Sequence, residues 1–200
     1  MVDDASLGSL GPWLYRPGMS GILGSLSTVM PVTEIATLRL NSPHIWDSPA
    51  SQSFFADVAA QQAAWSGYLL HYFQDTSDPL VIYILTGWES VSAHFDWIKS
   101  EQNQKLLERG EGLMEVVGLQ HVNLGVELKN AQFVVLEQWQ RGTEEDVGEE
   151  REEVGSVEEA PEQVCRIKGF AREEDVEGQD EQEDVGKKRA FMRRFSVPRS

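Results

Sequence analysis

Histidine is the residue type in this chain that is best suited to acid–base chemistry, because its unperturbed pKa lies near neutrality. His94 falls on the apolar face of a predicted helix, next to Phe95. As a general base it would suit removal of a proton from an acidic phenol or a β-keto carbon. The alternative role is a structural histidine at the edge of the core, hydrogen-bonded to a backbone carbonyl.

His71 and His121 occur in predicted strands, where each faces either a cavity or a subunit interface. We predict His94 and His71 as catalytic residues. A cavity between a sheet and its helices is typically apolar with a few polar groups. The predicted substrate-binding residues are Tyr68, Tyr72, Tyr83, Trp65, Trp88, Trp97, His121 and Asn123. Core or interface packing is the alternative for the aromatic members of this set.

The sequence lacks the motifs of several other common types of functional site. The four histidines are isolated, and Cys165 is the single cysteine, so no zinc-ligand spacing occurs and we predict no metal. The N-terminal glycines do not follow a strand and open a helix, as a phosphate loop requires. No Gly-x-Ser-x-Gly nucleophile motif is present. A lone cysteine also excludes an internal disulfide and fits a reducing compartment.

Residues 66–94 show the clearest structural pattern. Two strand-like runs, 67–73 and 80–87, are separated by the turn-forming residues 75–79, which predicts an antiparallel hairpin. Residues 80–85 are nearly all apolar, so both faces of this strand should be covered. The strand leads into a predicted helix that begins with Ser90 as its N-cap and ends near Arg109.

The flanking segments complete an α+β unit. Residues 32–40 and 119–126 have strand composition, and Ser48 with Pro49 predicts the start of a helix that ends near Trp65. The order strand, helix, strand, strand, helix, strand predicts a ferredoxin-like βαββαβ fold with both helices on one face of the sheet. The other face would be bare, so we predict a homodimer formed through it.

Composition divides the chain into four predicted segments. These are a flexible leader (1–30), the α+β domain (31–126), an additional strand or the start of a degenerate second repeat (127–140), and a disordered acidic tail with a basic end (141–200). Residues 142–163 are highly acidic with almost no large apolar side chains, too few to offset the entropy of ordering. The basic residues 187–200 could contact the acidic tract, form a localisation or kinase signal, or be inert.

The charge balance bears on partners and location. The chain has 33 acidic and 17 basic residues, a formal net charge of −16, which opposes nucleic-acid binding. Its longest weakly apolar run, 18–30, is shorter than a membrane span, and acidic residues occupy the place of a secretory signal's basic start. We predict a soluble cytoplasmic protein with no membrane or nucleic-acid partner.

Three segments resemble a known family: PVTEIATLRL at 31–40, WSGY at 65–68 and LTGWESVSAH at 85–94. They are similar to the dimeric α+β barrel superfamily, and within it to the antibiotic biosynthesis monooxygenase (ABM)-like domain of fungal type. The resemblance covers residues 31–124. It implies a homodimeric barrel and a small-molecule ligand, with no metal or organic cofactor.

The resemblance also bears on single residues. Trp88 and Tyr83 are plausible equivalents of ABM residues that surround a bound phenol, while Asn103 stands where cyclases of this fold have a histidine. Fungal relatives often carry a second repeat, and residues 131–139 look like its first strand.

Two functions follow from the resemblance. The first is a cofactor-free monooxygenase or polyketide cyclase-like enzyme that acts on an aromatic or polyketide-type molecule in secondary metabolism. The second is a non-catalytic ligand-binding or stress-responsive barrel protein, which the missing cyclase histidine favours.

Overall fold

Eight antiparallel strands form a closed barrel that carries helices on its outside. The structure, a computed structural model, describes residues 32–126, 128–142, 154–177 and 187–195. The strands are β1 (Val32–Leu40), β2 (His71–Asp75), β3 (Val81–Trp88), β4 (Met114–Val122), β5 (Phe133–Gln140), β6 (Val154–Val157), β7 (Ala160–Phe170) and β8 (Lys188–Arg194). The helices are α1 (Pro49–Ser66), α2 (Val91–Lys99), α3 (Glu101–Gly110) and α4 (Glu174–Glu177). The predicted α+β class is confirmed.

The strand order around the barrel is β1-β3-β2-β8-β5-β7-β6-β4. Each half of the chain contributes four adjacent strands in the same relative order, β4-β1-β3-β2 from the first half and β8-β5-β7-β6 from the second. Two seams join the halves. At one seam β2 pairs with β8, and at the other β4 pairs with β6 at Val122 and Val157. The barrel is therefore a structural repeat within a single chain.

The predicted disorder of residues 141–200 is wrong for the part of that segment that the structure describes. Strands β6, β7 and β8 all come from it, and Val157, Ile167 and Met192 are buried in the barrel. The prediction relied on the mean charge of the segment. A half-buried strand needs only every second residue to be apolar, and the charged residues of β7 alternate with buried ones. Residues 143–153, 178–186 and 196–200 lie outside the described residues, as does the predicted leader.

The sheet face predicted to meet a second copy is covered by the second half of the same chain. The apolar strand β3 is covered on both faces: Ile82, Ile84, Thr86 and Trp88 are buried on one, and Leu85 is buried on the other between half-buried neighbours. One face packs into the barrel and the other packs under the helices. Homodimerisation stays a prediction, but the bare sheet face no longer supports it.

Local sequence sets the helix boundaries that shape the outer layer. The side chain of Ser48 accepts a hydrogen bond from the backbone N–H of Ser51 at the start of α1, and Gly67 ends this helix with a positive φ of 79°. The predicted helix from Ser90 to Arg109 is divided at Ser100. Its hydroxyl donates to the carbonyl of Trp97 and accepts from the N–H of Asn103, so it caps both α2 and α3. No described helix is long and apolar enough to cross a membrane.

Two apolar layers result from the alternation of side chains along the strands. The barrel interior is filled from both halves by Ile35, Phe73, Leu85, Val122, Val134, Leu136, Cys165, Ile167 and Met192, among others. The layer between the sheet and α1 contains Ala36, Leu38, Trp46, Phe54, Phe55, Tyr72 and Ile84. Burial raises the pKa of the Cys165 thiol to about 12, in keeping with an unreactive core cysteine.

Replacing Gly155 with alanine is expected to loosen the seam between β4 and β6. A Cβ at this position would lie 2.7 Å from Val122 Cγ1 and 2.9 Å from the backbone oxygen of Asn123. Such overpacking should cost about 1–3 kcal/mol in the free energy of unfolding, measured by urea denaturation. Gly118→Ala in β4 is the matched control, since its Cβ would meet only ordinary contacts at 3.5 Å. Equal stability of the two variants would contradict tight packing at the seam.

Candidate active site

A pocket of about 250 Å³ lies between the outer face of the sheet and helices α1, α2 and α3. Its walls are mostly apolar. They comprise Ala36, Leu38 and Ile84 from the sheet, Phe54, Phe55 and Val58 from α1, and Trp97, Ile98, Leu106 and Leu107 from α2 and α3, with Met114, Val116 and Leu119 from β4. The polar groups that line it are Glu34, Gln62, His94 and Asn103. An apolar cavity with a few convergent polar groups is the usual form of a small-molecule site.

Glu34 is the acidic group of this pocket, and it is 4% exposed. Its Oε2 accepts hydrogen bonds from Trp88 Nε1 at 2.5 Å and from Gln62 Nε2 at 3.2 Å. Oε1 makes no hydrogen bond to any described residue. Burial raises the pKa of Glu34 to about 7, although the bonds from Trp88 and Gln62 act in the opposite direction. The carboxyl can therefore both take up and release a proton near neutral pH.

His94 lies on α2 and connects Glu34 to strand β4. Its Nε2 is 3.4 Å from Glu34 Oε2, and its Nδ1 is 2.7 Å from His121 Nε2. The ring stacks on the Trp88 indole with centroids 4.5 Å apart. Burial, together with the neighbouring His121 ring, lowers the pKa of His94 to about 3. The imidazole is thus neutral at physiological pH.

His121 is fully buried and joins the first half of the chain to the second. Its Nδ1 contacts the Oε1 of Glu159 in the turn between β6 and β7, and its backbone N–H donates to the Oε2 of that glutamate at 2.9 Å. Partial burial would raise the pKa of Glu159, but the hydrogen bonds from the ring and backbone of His121 outweigh this and hold it below its usual range. Glu159 is therefore a carboxylate at neutral pH.

One arrangement of protons that satisfies these contacts runs from Glu159 to Glu34. A carboxylate can only accept, so Glu159 receives the Nδ1–H of His121, and in the tautomer that carries its proton on Nδ1 the Nε2 of this ring is an acceptor. His94 donates its Nδ1–H to that nitrogen, which leaves His94 Nε2 as an acceptor towards a protonated Glu34. Among the described residues no cluster of three or more His, Cys, Asp or Glu side chains could hold a metal ion.

Comparison with known proteins gives structural matches. No protein-family model and no curated protein sequence matches the chain. A candidate monooxygenase from Fusobacterium nucleatum superimposes with a TM-score of 0.59 and 12% identity, over 84% of this chain and 94% of that one. A second candidate monooxygenase, from Lactobacillus acidophilus, has a TM-score of 0.51 and 10% identity, over 82% and 94% of the two chains. An anthrone oxidase-like protein superimposes with a TM-score of 0.51 and 10% identity, over 83% of this chain and 92% of that one.

The chain has the fold of these monooxygenase-like barrels. An alignment of more than four-fifths of the chain includes both halves, so the similarity extends to the second half of the barrel. At this identity it establishes the fold alone, and the chemistry must be argued from the site.

The barrel brings together only some of the predicted site residues. His94 and Trp97 line the pocket, and Trp88 and His121 contact its polar groups. Tyr72 lies beneath α1, where its hydroxyl donates to the carbonyl of Phe55 at 2.9 Å. Burial raises the pKa of Tyr72 well above its ordinary value, and the charge of Glu34 adds to this effect. Tyr72 is thus a core residue next to the site.

The other predicted residues lie away from the pocket. His71 alternates with Tyr72 along β2 and lines a separate pocket together with Tyr68, so its predicted catalytic role is not supported by its position. Burial, helped by the charge of Arg194, lowers the pKa of His71 to about 4. Tyr83 bonds Asp75 at 3.3 Å, with burial raising its pKa to about 12. Trp65 is 48% exposed at the end of α1, and Asn123 is exposed after β4.

Four polar residues of the site were absent from the sequence-based set, namely Glu34, Gln62, Asn103 and Glu159. Glu34 lies in the strand predicted over residues 32–40, where a carboxylate in line with Ala36 and Leu38 is a signal of a buried acid. Gln62 lies in the helix predicted to end near Trp65, and it is buried against Glu34. Glu159 carried no signal, because its role depends on strands that were predicted to be disordered.

Proposed function

We propose that this chain is a cofactor-independent oxygenase that oxidises a small, apolar aromatic molecule bound in the pocket between the helices and the sheet. The observation that carries the proposal is the Glu34 carboxyl, which is buried at an apolar pocket with a pKa of about 7. A general base is most effective when its pKa is close to the working pH. The description of one structural neighbour as anthrone oxidase-like supports a substrate whose acidic CH₂ group is flanked by aromatic rings.

The reaction balances with dioxygen as the sole oxidant. The ionised Glu34 removes one proton from the CH₂ group, and the resulting carbanion passes one electron to O₂. The substrate radical and superoxide combine in a new C–O bond, and the peroxide anion takes a proton from Glu34. Glu34, again a carboxylate, removes the remaining C–H proton while the O–O bond breaks, which leaves a carbonyl and a hydroxide ion. Glu34 releases this second proton through His94, and the proton and the hydroxide form water. The sum is R₂CH₂ + O₂ → R₂C=O + H₂O.

The pocket contributes in two further ways. Its apolar side chains, of which Leu107, Val116 and Leu119 are exposed in the free protein, reduce contact between the carbanion and water, which would otherwise reprotonate it before it meets O₂. The stacked pair Trp88 and His94 holds the carboxyl from one side, because both rings contact Glu34 Oε2. We assign Oε1, which makes no hydrogen bond to a described residue, as the atom that meets the substrate.

Replacing His94 with asparagine is expected to reduce turnover at least tenfold, because Glu34 loses its proton-accepting neighbour. The measurement is O₂ uptake with anthrone as the probe substrate, with the quinone product followed by absorbance. His71→Asn is the matched control, since this histidine lines a different pocket and should leave the rate unchanged.

Three outcomes of this experiment would contradict the proposal. Equal rates for both variants would remove His94 from the mechanism. Conversion without O₂ uptake would indicate cyclase-like chemistry. Binding of the probe without any turnover by the unaltered protein would favour the non-catalytic carrier.

A further inference from the structure

Four titratable side chains form a continuous line from the pocket to the protein surface. The line consists of Glu34, His94, His121 and Glu159, which come from β1, α2, β4 and the β6–β7 turn. Its two ends differ in their access to water. Glu34 has a side chain that is 5% exposed, whereas the side chain of Glu159 is 41% exposed.

We propose that His94, His121 and Glu159 are a proton relay that connects Glu34 to solvent, so that the second half of the chain completes a site held by the first. The role of the relay in turnover rests on the proposed function. The exchange of the Glu34 proton with water through the relay is independent of the proposed function, because this exchange follows from the geometry of the four side chains.

The proton transfer can be written atom by atom. Protonated Glu34 gives its proton to His94 Nε2, while His94 Nδ1 gives its proton to His121 Nε2. His121 Nδ1 then passes its proton to Glu159 Oε1. Each imidazole gains one proton and loses one, so the net change is a carboxylate at Glu34 and a carboxylic acid at Glu159, which releases its proton to water. The reverse sequence returns a proton to Glu34.

The groups that face this line are uncharged around Glu34 and acidic around His121. Around Glu34, the side chains of Trp88 on β3 and Gln62 on α1 carry no charge, and Tyr72 on β2 is kept neutral by its raised pKa. Around His121, Glu159 supplies the carboxylate that bonds the ring. Glu158, in the same turn, is exposed and bonds His121 only through its backbone N–H. Among the described contacts, Glu159 is thus the acid that receives the proton.

The first experiment compares Glu159→Gln with Glu158→Gln in the full-length protein. Each removes one negative charge from the same turn, but only the first removes a group that can accept the relayed proton. Glutamine keeps an acceptor oxygen for the Nδ1–H of His121, while its NH₂ group replaces the oxygen that accepts the backbone N–H of His121. We expect kcat of Glu159→Gln to fall roughly tenfold to hundredfold, with Glu158→Gln unchanged. Acetate should restore part of the rate in Glu159→Ala, since a small carboxylate can replace the missing group. Equal rates for the two glutamine variants, or no rescue by acetate, would overturn the relay in turnover.

The second experiment needs no substrate. The ¹³C signal of the Glu34 carboxyl is followed by NMR across pH 5 to 9. In the unaltered protein and in Glu158→Gln, fast proton exchange should give one averaged signal that moves with pH. In Glu159→Gln, slow exchange should broaden or split the signal near the midpoint. One averaged signal in all three proteins would overturn the relay. If the NMR signals behave as expected for the relay but the unaltered protein turns over no probe substrate, the proposed function is contradicted and the relay is not.

Discussion

Replacing Glu34 with glutamine is expected to lower turnover by a factor of about 100 or more, the usual effect of losing a general base. The amide has nearly the same shape, and its oxygen can still accept from Trp88 Nε1, so the pocket should keep its geometry. Binding of the probe substrate should therefore change little. The measurements are O₂ uptake for the rate and fluorescence titration for the affinity.

The same substitution is expected to stabilise the protein at neutral and alkaline pH. The pKa of Glu34 is raised from 4.5 to about 7, so the native state binds its proton more tightly than the unfolded state does. Stability from this group is present in full below pH 4.5 and is lost as the pH rises to about 7. This loss amounts to about 3 kcal/mol in the free energy of unfolding. Glutamine does not ionise, so the advantage of the variant should grow by that amount over this range, measured by urea denaturation at several pH values.

Glu137→Gln is the control for this effect, since Glu137 is the other buried glutamate among the described residues. It lies in the second half, where its carboxylate bonds Arg189 at 2.7 Å and Arg166 at 3.3 Å. Removing a carboxylate that is bonded to two arginines should cost roughly 2–3 kcal/mol. A stability difference between Glu34→Gln and the unaltered protein that does not vary with pH would contradict the raised pKa.

Truncation after Arg141 is expected to abolish cooperative folding. It removes β6, β7 and β8, and with them the buried side chains of Val157, Cys165, Ile167 and Met192. Burial of one such side chain contributes roughly 1.5–3 kcal/mol, so the total loss is comparable with the 5–15 kcal/mol that stabilises a typical domain. It also exposes the inner face of β3. Near-ultraviolet circular dichroism and the loss of a sigmoidal thermal transition would report the effect.

A version that begins at Met30 is the control for this truncation, because it retains every described residue. We expect it to fold with an unchanged thermal transition. A truncated protein that unfolds as cooperatively as the full chain would instead support the tail predicted from composition.

Local sequence signals were sufficient for the first half of the barrel. Strand β1 begins and ends where its composition predicts, and Ser48 and Ser90 cap the helices as expected. These features depend on neighbours within a few residues. The break at Ser100 was missed because the apolar spacing continues across it, whereas the serine side chain binds the backbone on both sides.

The second half was missed because its order depends on contacts that are distant in sequence. Strands β7 and β8 both pair with β5, and β8 also pairs with β2, more than one hundred positions earlier. Averaged charge over such strands resembles that of a disordered segment. Only part of the site was predicted, for the same reason. His94 and Trp88 belong to one local sequence pattern, whereas Glu159 contacts His121 only when the barrel has closed.

Closure within one chain has a consequence for how the site assembles. If the two halves were separate molecules, pairing of Glu159 with His121 would weaken on dilution. Covalent connection replaces that encounter with an intramolecular one, at an effective concentration set by the chain itself. The complete site should therefore form with first-order kinetics, in a ratio of one per polypeptide. If the proposed function holds, the specific activity should stay constant as the protein is diluted.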